Sequence, residues 1–151
     1  MQKISPFLWF EGQAEEAMTF YASLFPDSRV VSVERGEGRP TVVTAELGGM
    51  EVTAFDAGPM FKFTEAISFF VKCETQEEVD RYWNALTADG GEESQCGWLK
   101  DKWGLSWQIV PNALMEMLGD SDRERANRAM EAMLQMVKLD IAALKRAYDQ
   151  A

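Results

Sequence analysis

One segment of the chain occurs twice, and any fold proposed for this sequence must hold both copies. Displaced by 62 positions, AEEAMTFYASL at 14–24 lies on QEEVDRYWNAL at 76–86. Both glutamates coincide, both aromatic pairs coincide (Phe20 and Tyr21 with Tyr82 and Trp83), and so does the closing leucine. With the same displacement Pro6 falls on Ser68 and Leu8 on Phe70. A second displacement, set by turn glycines, lays GMEVTAF at 49–55 on GLSWQIV at 104–110, so that Thr53 falls on Gln108. Two matches in the same order point to a duplicated supersecondary unit.

Each copy reads as βαβββ. ISPFLWF at 4–10 is predicted as a strand, and a helix follows over 13–25. Ala14, Ala17, Met18, Tyr21, Leu24 and Phe25 share one face at helical spacing, and Glu15 and Glu16 suit the positive N-terminal end. Pro26-Asp27-Ser28 stops that helix. RVVSVER, TVVTAEL and MEVTAFD, joined by two glycine turns, make a meander. After residues 57–65 the pattern restarts with AISFFVKC as a strand. Thr75-Gln76-Glu77-Glu78 is a capping box for a helix running to about Asp89, with Val79, Tyr82, Trp83 and Leu86 as its buried face. Gly90-Gly91 ends it.

The second copy closes with CGWLKDKWGLSWQIVP at 96–111, a hairpin around Asp101-Lys102-Trp103-Gly104 with the glycine placed for positive φ. Leu105, Trp107 and Ile109 point one way, and Ser106, Gln108 and Val110 point the other. The first set is core. The second carries an amide among small residues, as a strand lining a pocket does. Beyond it the chain is helical. Asn112 to Leu118 make about two turns, ended by Gly119; Ser121-Asp122-Arg123-Glu124 is a capping box, with Ser121 as the cap, opening a helix with Ala126, Ala129, Met130, Met133, Leu134 and Val137 on one side. Asp140 caps a last helix through Ile141, Leu144 and Tyr148. A methionine stripe at this spacing marks core or a subunit contact.

Bulk properties exclude several functions. A length of 151 residues suits one domain or two small modules sharing a core. Hydrophobic residues at 46% and charged residues at 26% are those of a globular chain, not a disordered one. A net charge of −10 repels nucleic acid and anionic membrane surfaces. No apolar run approaches the roughly 20 residues that span a bilayer, and the N-terminus lacks the features of a signal peptide, so a cytoplasmic location is expected. Histidine is absent, which removes imidazole bases, serine–histidine and cysteine–histidine pairs, and every imidazole metal site. Two cysteines, Cys73 and Cys96, make no disulfide framework and read as buried thiols.

The strings FLWFEGQAEEAMTFYASLFPDS, FDAGPMFKFTEAISFFVKC, and CGWLKDKWGLSWQIVP with the AMLQMVKLDIAAL tail resemble the PhnB-like family. That family is often labelled 3-demethylubiquinone-9 3-methyltransferase and belongs to the vicinal-oxygen-chelate superfamily of glyoxalases, extradiol dioxygenases and bleomycin-resistance proteins. The resemblance implies an α+β fold of two βαβββ modules forming cupped mixed sheets, combined within a chain or across a dimer. On that expectation residues 1–111 form the paired modules (about 1–57 and 66–111), and 112–151 form a helical tail packed on them or on a dimer partner. In metal-using members four inward residues bind a divalent ion. The resemblance and the internal repeat place those positions at Pro6 (or Ser5), Thr53 (or Val52), Ser68 and Gln108. Proline offers no donor, hydroxyls are weak ligands and one neutral amide does not hold a transition metal, so no metal is expected. Glu51 and Asp56 are the nearby carboxylates, Glu51 with the wrong strand parity. The strand-to-helix junctions FEGQ and KCET carry no glycine-rich cofactor turn, so no cofactor is expected either.

Thr53, Ser68 and Gln108 are therefore candidate polar anchors of a pocket, or satisfied polar groups in an apolar cup. Phe10, Phe55, Phe61, Phe63, Phe70 and Trp98 are candidate walls, or plain core. Lys100, Asp101 and Lys102 read as a solvated hairpin tip, with guarding a pocket mouth as the other option. The function expected is metal-independent binding of a small apolar or aromatic molecule by a homodimer. Two alternatives stand beside it: an enzyme on the same scaffold (the methyltransferase of the label, or a metal-assisted lyase or dioxygenase), and an oligomeric structural protein with a filled cup.

Overall fold

The computed structural model describes residues 2–150. The chain divides into two compact units, one up to Phe63 and one from Thr64 onward. The first holds β1 (Phe7–Phe10), α1 (Ala14–Leu24), β2 (Arg29–Gly36), β3 (Arg39–Leu47) and β4 (Met50–Asp56). Its sheet runs β1-β4-β3-β2, with β1 parallel to β4 and the other pairs antiparallel. The second holds β5 (Phe69–Cys73), α2 (Gln76–Thr87), β6 (Glu92–Glu93), β7 (Trp98–Lys100) and β8 (Ser106–Pro111) in the order β5-β8-β7-β6, again with the outer β5 parallel to β8. Both units are βαβββ, and the α+β duplication legible in the sequence is present.

Strand register refines the repeat. Thr53, which the turn glycines lay on Gln108, pairs with Phe7, and Gln108 pairs with Phe70. Phe70 therefore matches Phe7 and not Leu8. Leu8 is buried on the helix side, whereas Phe7 and Phe70 are both exposed. The cause is the β1–α1 connection, one residue longer than that between β5 and α2. Ser5, not Pro6, is thus the counterpart of Ser68.

Each helix is anchored by a cap, but not the same kind. Gln13 offers α1 no side-chain cap. Asp56, at the end of β4, accepts from the Ala14 N–H at 2.8 Å instead. In α2 the predicted box forms: Thr75 Oγ1 accepts from the Glu78 N–H at 3.1 Å, and Glu78 reaches back to the Glu74 N–H at 2.8 Å. The buried face of α1 is Ala14, Ala17, Met18 and Tyr21; that of α2 is Val79, Tyr82, Trp83 and Leu86. One strand was not anticipated. β6 has only two residues and no apolar alternation to announce it.

The tail forms α3 (Asn112–Leu118), α4 (Arg123–Leu134) and α5 (Ile141–Asp149). Asp122, not Ser121, caps α4, accepting from the N–H groups of Glu124 and Arg125. Asp140 caps α5 as expected. Val110, Leu114, Met117, Ala129, Leu139 and Leu144 form the tail's core. The α4 stripe is narrower than its spacing suggests: Ala126 and Ala129 are buried, but Met130 and Leu134 are 41% and 52% exposed. The tail is fastened to the second module by backbone bonds, Cys96 N–H to Met136 O and Gly97 N–H to Val137 O, both 2.8 Å. Gln76 of α2 adds two more, donating to Leu139 O at 3.1 Å and accepting from the Ile141 N–H at 2.8 Å. Gly97 has φ +85°, and a Cβ there would lie 2.9 Å from Leu139 Cδ1, so glycine is required on both counts.

Candidate functional site

The side chains of the second module's sheet separate by strand parity. Leu99, Trp107 and Ile109 face the core and are at most 2% exposed. The opposite face carries two cross-strand rows, Glu92–Lys100–Ser106 over β6, β7 and β8, and Trp98–Gln108–Phe70 over β7, β8 and β5. Gln108 Nε2 donates to Ser68 Oγ at 2.9 Å, joining two predicted site residues directly.

Beside these rows lies a cavity of about 500 Å³ whose lining includes Glu65, Glu92, Ser94, Cys96, Trp98, Lys100 and Ser106. That volume falls within the range of small-molecule sites, roughly 300–1,000 Å³. Lys100 Nζ sits 2.7 Å from Glu65. Hydrogen bonding and charge from Lys100 hold the Glu65 carboxyl below its ordinary range, and the same bond raises Lys100. Ser106 is 1% exposed and its hydroxyl has no hydrogen-bond partner. An unpaired buried hydroxyl costs about 1–3 kcal/mol.

Asp101 corrects the reading of the hairpin tip. It is only 3% exposed. Its Oδ1 accepts from the N–H groups of Trp103 and Leu105, both at 3.0 Å, and its Oδ2 from Trp107 Nε1 at 2.9 Å. The carboxylate is the internal strut of the turn that orients Ser106 and Gln108. Lys100 is not merely solvated but a half-buried wall of the cavity. Cys73 is fully buried, and burial, reinforced by the charge of Glu78, pushes its thiol up to about 12. Cys96 is free and half-buried beside the cavity.

In the first module Thr53 and Phe55 share a face with Phe7, Trp9, Thr44 and Val42, away from α1. Phe55 packs edge-on against Phe7 and Trp9, and Phe61 against Trp9, with centroids 4.8–5.0 Å apart. Phe10 does not belong to that face. It is 3% exposed on the helix side of the sheet, with Phe63 edge-on at 5.2 Å, so it is core and no wall of a pocket. The faces alternate along β1, and Phe10 shares the buried side with Leu8.

The positions that the resemblance assigns to a metal do not suit one. Ser5, the counterpart of Ser68, offers only an exposed hydroxyl, and Pro6 beside it gives its carbonyl to the Thr53 N–H at 3.1 Å. Ser68 and Gln108 bond each other, and Asp56 is engaged as the cap of α1. Among the described residues no group of three or more His, Cys, Asp or Glu is placed to hold an ion. Ser106 was legible through its parity with Gln108. Glu65 and Glu92 carried no signal, lying in a loop and in a strand too short to show a period.

The family model described as 3-demethylubiquinone-9 3-methyltransferase matches residues 2–110, so α3, α4 and α5 lie beyond it. A PhnB protein of Bacillus cereus carrying the same description is 39% identical, with a TM-score of 0.68 over 73% of this chain and 99% of that one. The Pseudomonas aeruginosa protein PA1353 (20% identity, TM-score 0.59, 74% and 98% covered) shares the fold. So does the fosfomycin resistance protein FosX of Listeria monocytogenes (13% identity, TM-score 0.59, 79% and 98% covered). No curated protein matches the chain.

Proposed function

The chain belongs to the PhnB-like family, described as 3-demethylubiquinone-9 3-methyltransferase, of the vicinal-oxygen-chelate superfamily, and from that we propose that it binds a small molecule without a metal ion. The observation that carries this reading is the donor set in the second module: two of the four positions hold a neutral serine and a neutral amide joined to each other by a hydrogen bond, with no carboxylate or imidazole among them. A cavity of suitable size in the same module, with an unpaired hydroxyl in its wall, supports binding there. Trp98, Gln108, Ser68 and Phe70 form the polar and aromatic surface beside it, and Thr53, Phe55 and Phe61 form the corresponding aromatic surface of the first module.

Thermal-shift screening of chelator-treated protein against small aromatic and aliphatic compounds tests the proposal. Ligands that bind the folded state raise Tm in proportion to saturation. Hits whose effect is unchanged by chelator agree with the reading. Stabilisation that appears only after a divalent ion is restored contradicts it.

The family description favours a second reading, methyl transfer. A nucleotide-type cofactor uses free N–H groups at a helix N-terminus, and here Asp56 takes the Ala14 N–H of α1 and Thr75 takes the Glu78 N–H of α2, with the carboxylates of Asp56 and Glu78 at those ends opposing an anionic group. Saturable binding of S-adenosylmethionine by calorimetry would move the assignment to that reading.

We also take the chain to act as a homodimer. Phe7 and Phe61 are 59% and 60% exposed on one aromatic face, and a contiguous exposed apolar patch marks an interaction surface. Light scattering after size exclusion should give twice the chain mass; a monomer at micromolar concentration rejects it.

A further inference from the structure

We infer that the second module's cavity selects a ligand carrying a protonated amine beside a ring or other flat apolar group. The inference rests on the cavity being the binding site and adds the chemical class of its occupant.

Four observations converge on it. Two carboxylates, Glu65 and Glu92, face the cavity against a single ammonium, that of Lys100, whereas Glu93 has the opposite strand parity and accepts from Trp83 Nε1 at 2.7 Å. Lys100 is already matched by Glu65 at 2.7 Å, so it offers little to an incoming anion. Trp98 presents a half-buried aromatic surface in the row next to Lys100 and Glu92, and an indole face attracts a cation held over it. Ser106, 1% exposed, holds an unpartnered hydroxyl in the cavity wall, an acceptor for an ammonium N–H. The surplus negative charge makes this a cation's environment, and the net charge of −10 on the chain favours the approach of a cation over that of an anion.

The test uses three probes of one shape on the full chain: benzylamine, benzyl alcohol and benzoate. Two-dimensional ¹H–¹⁵N NMR at neutral pH reads the backbone signals of Trp98, Lys100 and Ser106 and the Trp98 indole. Benzylamine should move these signals saturably, at least ~5-fold more tightly than the other two, and the preference should shrink at high salt. Glu92→Gln should weaken benzylamine by about threefold or more while leaving benzyl alcohol unchanged. Ser106→Ala should weaken benzylamine and raise Tm, because it removes an unpaired buried hydroxyl; a lower Tm with undiminished binding overturns the role of Ser106. Benzoate or benzyl alcohol binding as tightly as benzylamine at these signals overturns the charge selection and leaves the cavity as a site. Silence from all three probes overturns both the selection and the cavity.

Discussion

Asp101 is the side chain on which the geometry of the second module's hairpin depends most. Three donors converge on its buried carboxylate, so Asp101→Ala strands three N–H groups and should cost about 3 kcal/mol in urea unfolding. Asp101→Asn should cost less, since one oxygen can still serve the two backbone donors while the amide opposes the Trp107 N–H. Cys73 gives a pH signature. Its folded thiol keeps its proton up to about pH 12, whereas the unfolded thiol loses it near its ordinary value of about 8.5. The unfolded state therefore binds fewer protons across that interval, and stability falls as pH rises through it, being complete below. Urea unfolding from pH 8 to 10.5 should show this loss, and Cys73→Ala should flatten the slope. In the native protein Cys73 should resist alkylation that labels Cys96.

The two module helices show how differently one element can be held. Asp56→Ala removes the cap of α1 from a residue 42 positions away and should cost about 1 kcal/mol, visible in denaturant unfolding. The equivalent loss in α2 comes from Thr75→Ala, a purely local change. That contrast marks what the sequence made legible. The Thr75–Glu78 box, the AEEAMTFYASL repeat and the parity of the 105–110 strand depend on neighbours in the chain and could be read directly. Asp56 as a cap, Asp101 as a buried strut and Glu65 against Lys100 depend on contacts made only once the sheet is formed. Phe10, offered as wall or core, could be settled only by the strand parity of the folded sheet, which sets it with Leu8 on the buried side. The α4 stripe failed because helical spacing gives a face but not its width.

At the scale of the molecule the tail is part of the second module's stability and not an appendage. Gly97 lies where β7 meets the tail, with Leu139 pressed against it. Gly97→Ala meets both positive φ and a steric conflict and should cost more than about 1 kcal/mol, with faster proteolysis of 112–150 as the readout that separates tail loosening from general unfolding. The larger claim concerns the metal positions of the two modules, which carry Ser5 and Thr53 in the first and a hydrogen-bonded Ser68–Gln108 pair in the second. Elemental analysis with native mass spectrometry, on protein purified without chelator, tests that claim most directly. No stoichiometric divalent ion should accompany the chain, and added manganese, zinc or nickel should leave Tm unchanged. One tightly held ion per chain would contradict the account and return the site to metal chemistry.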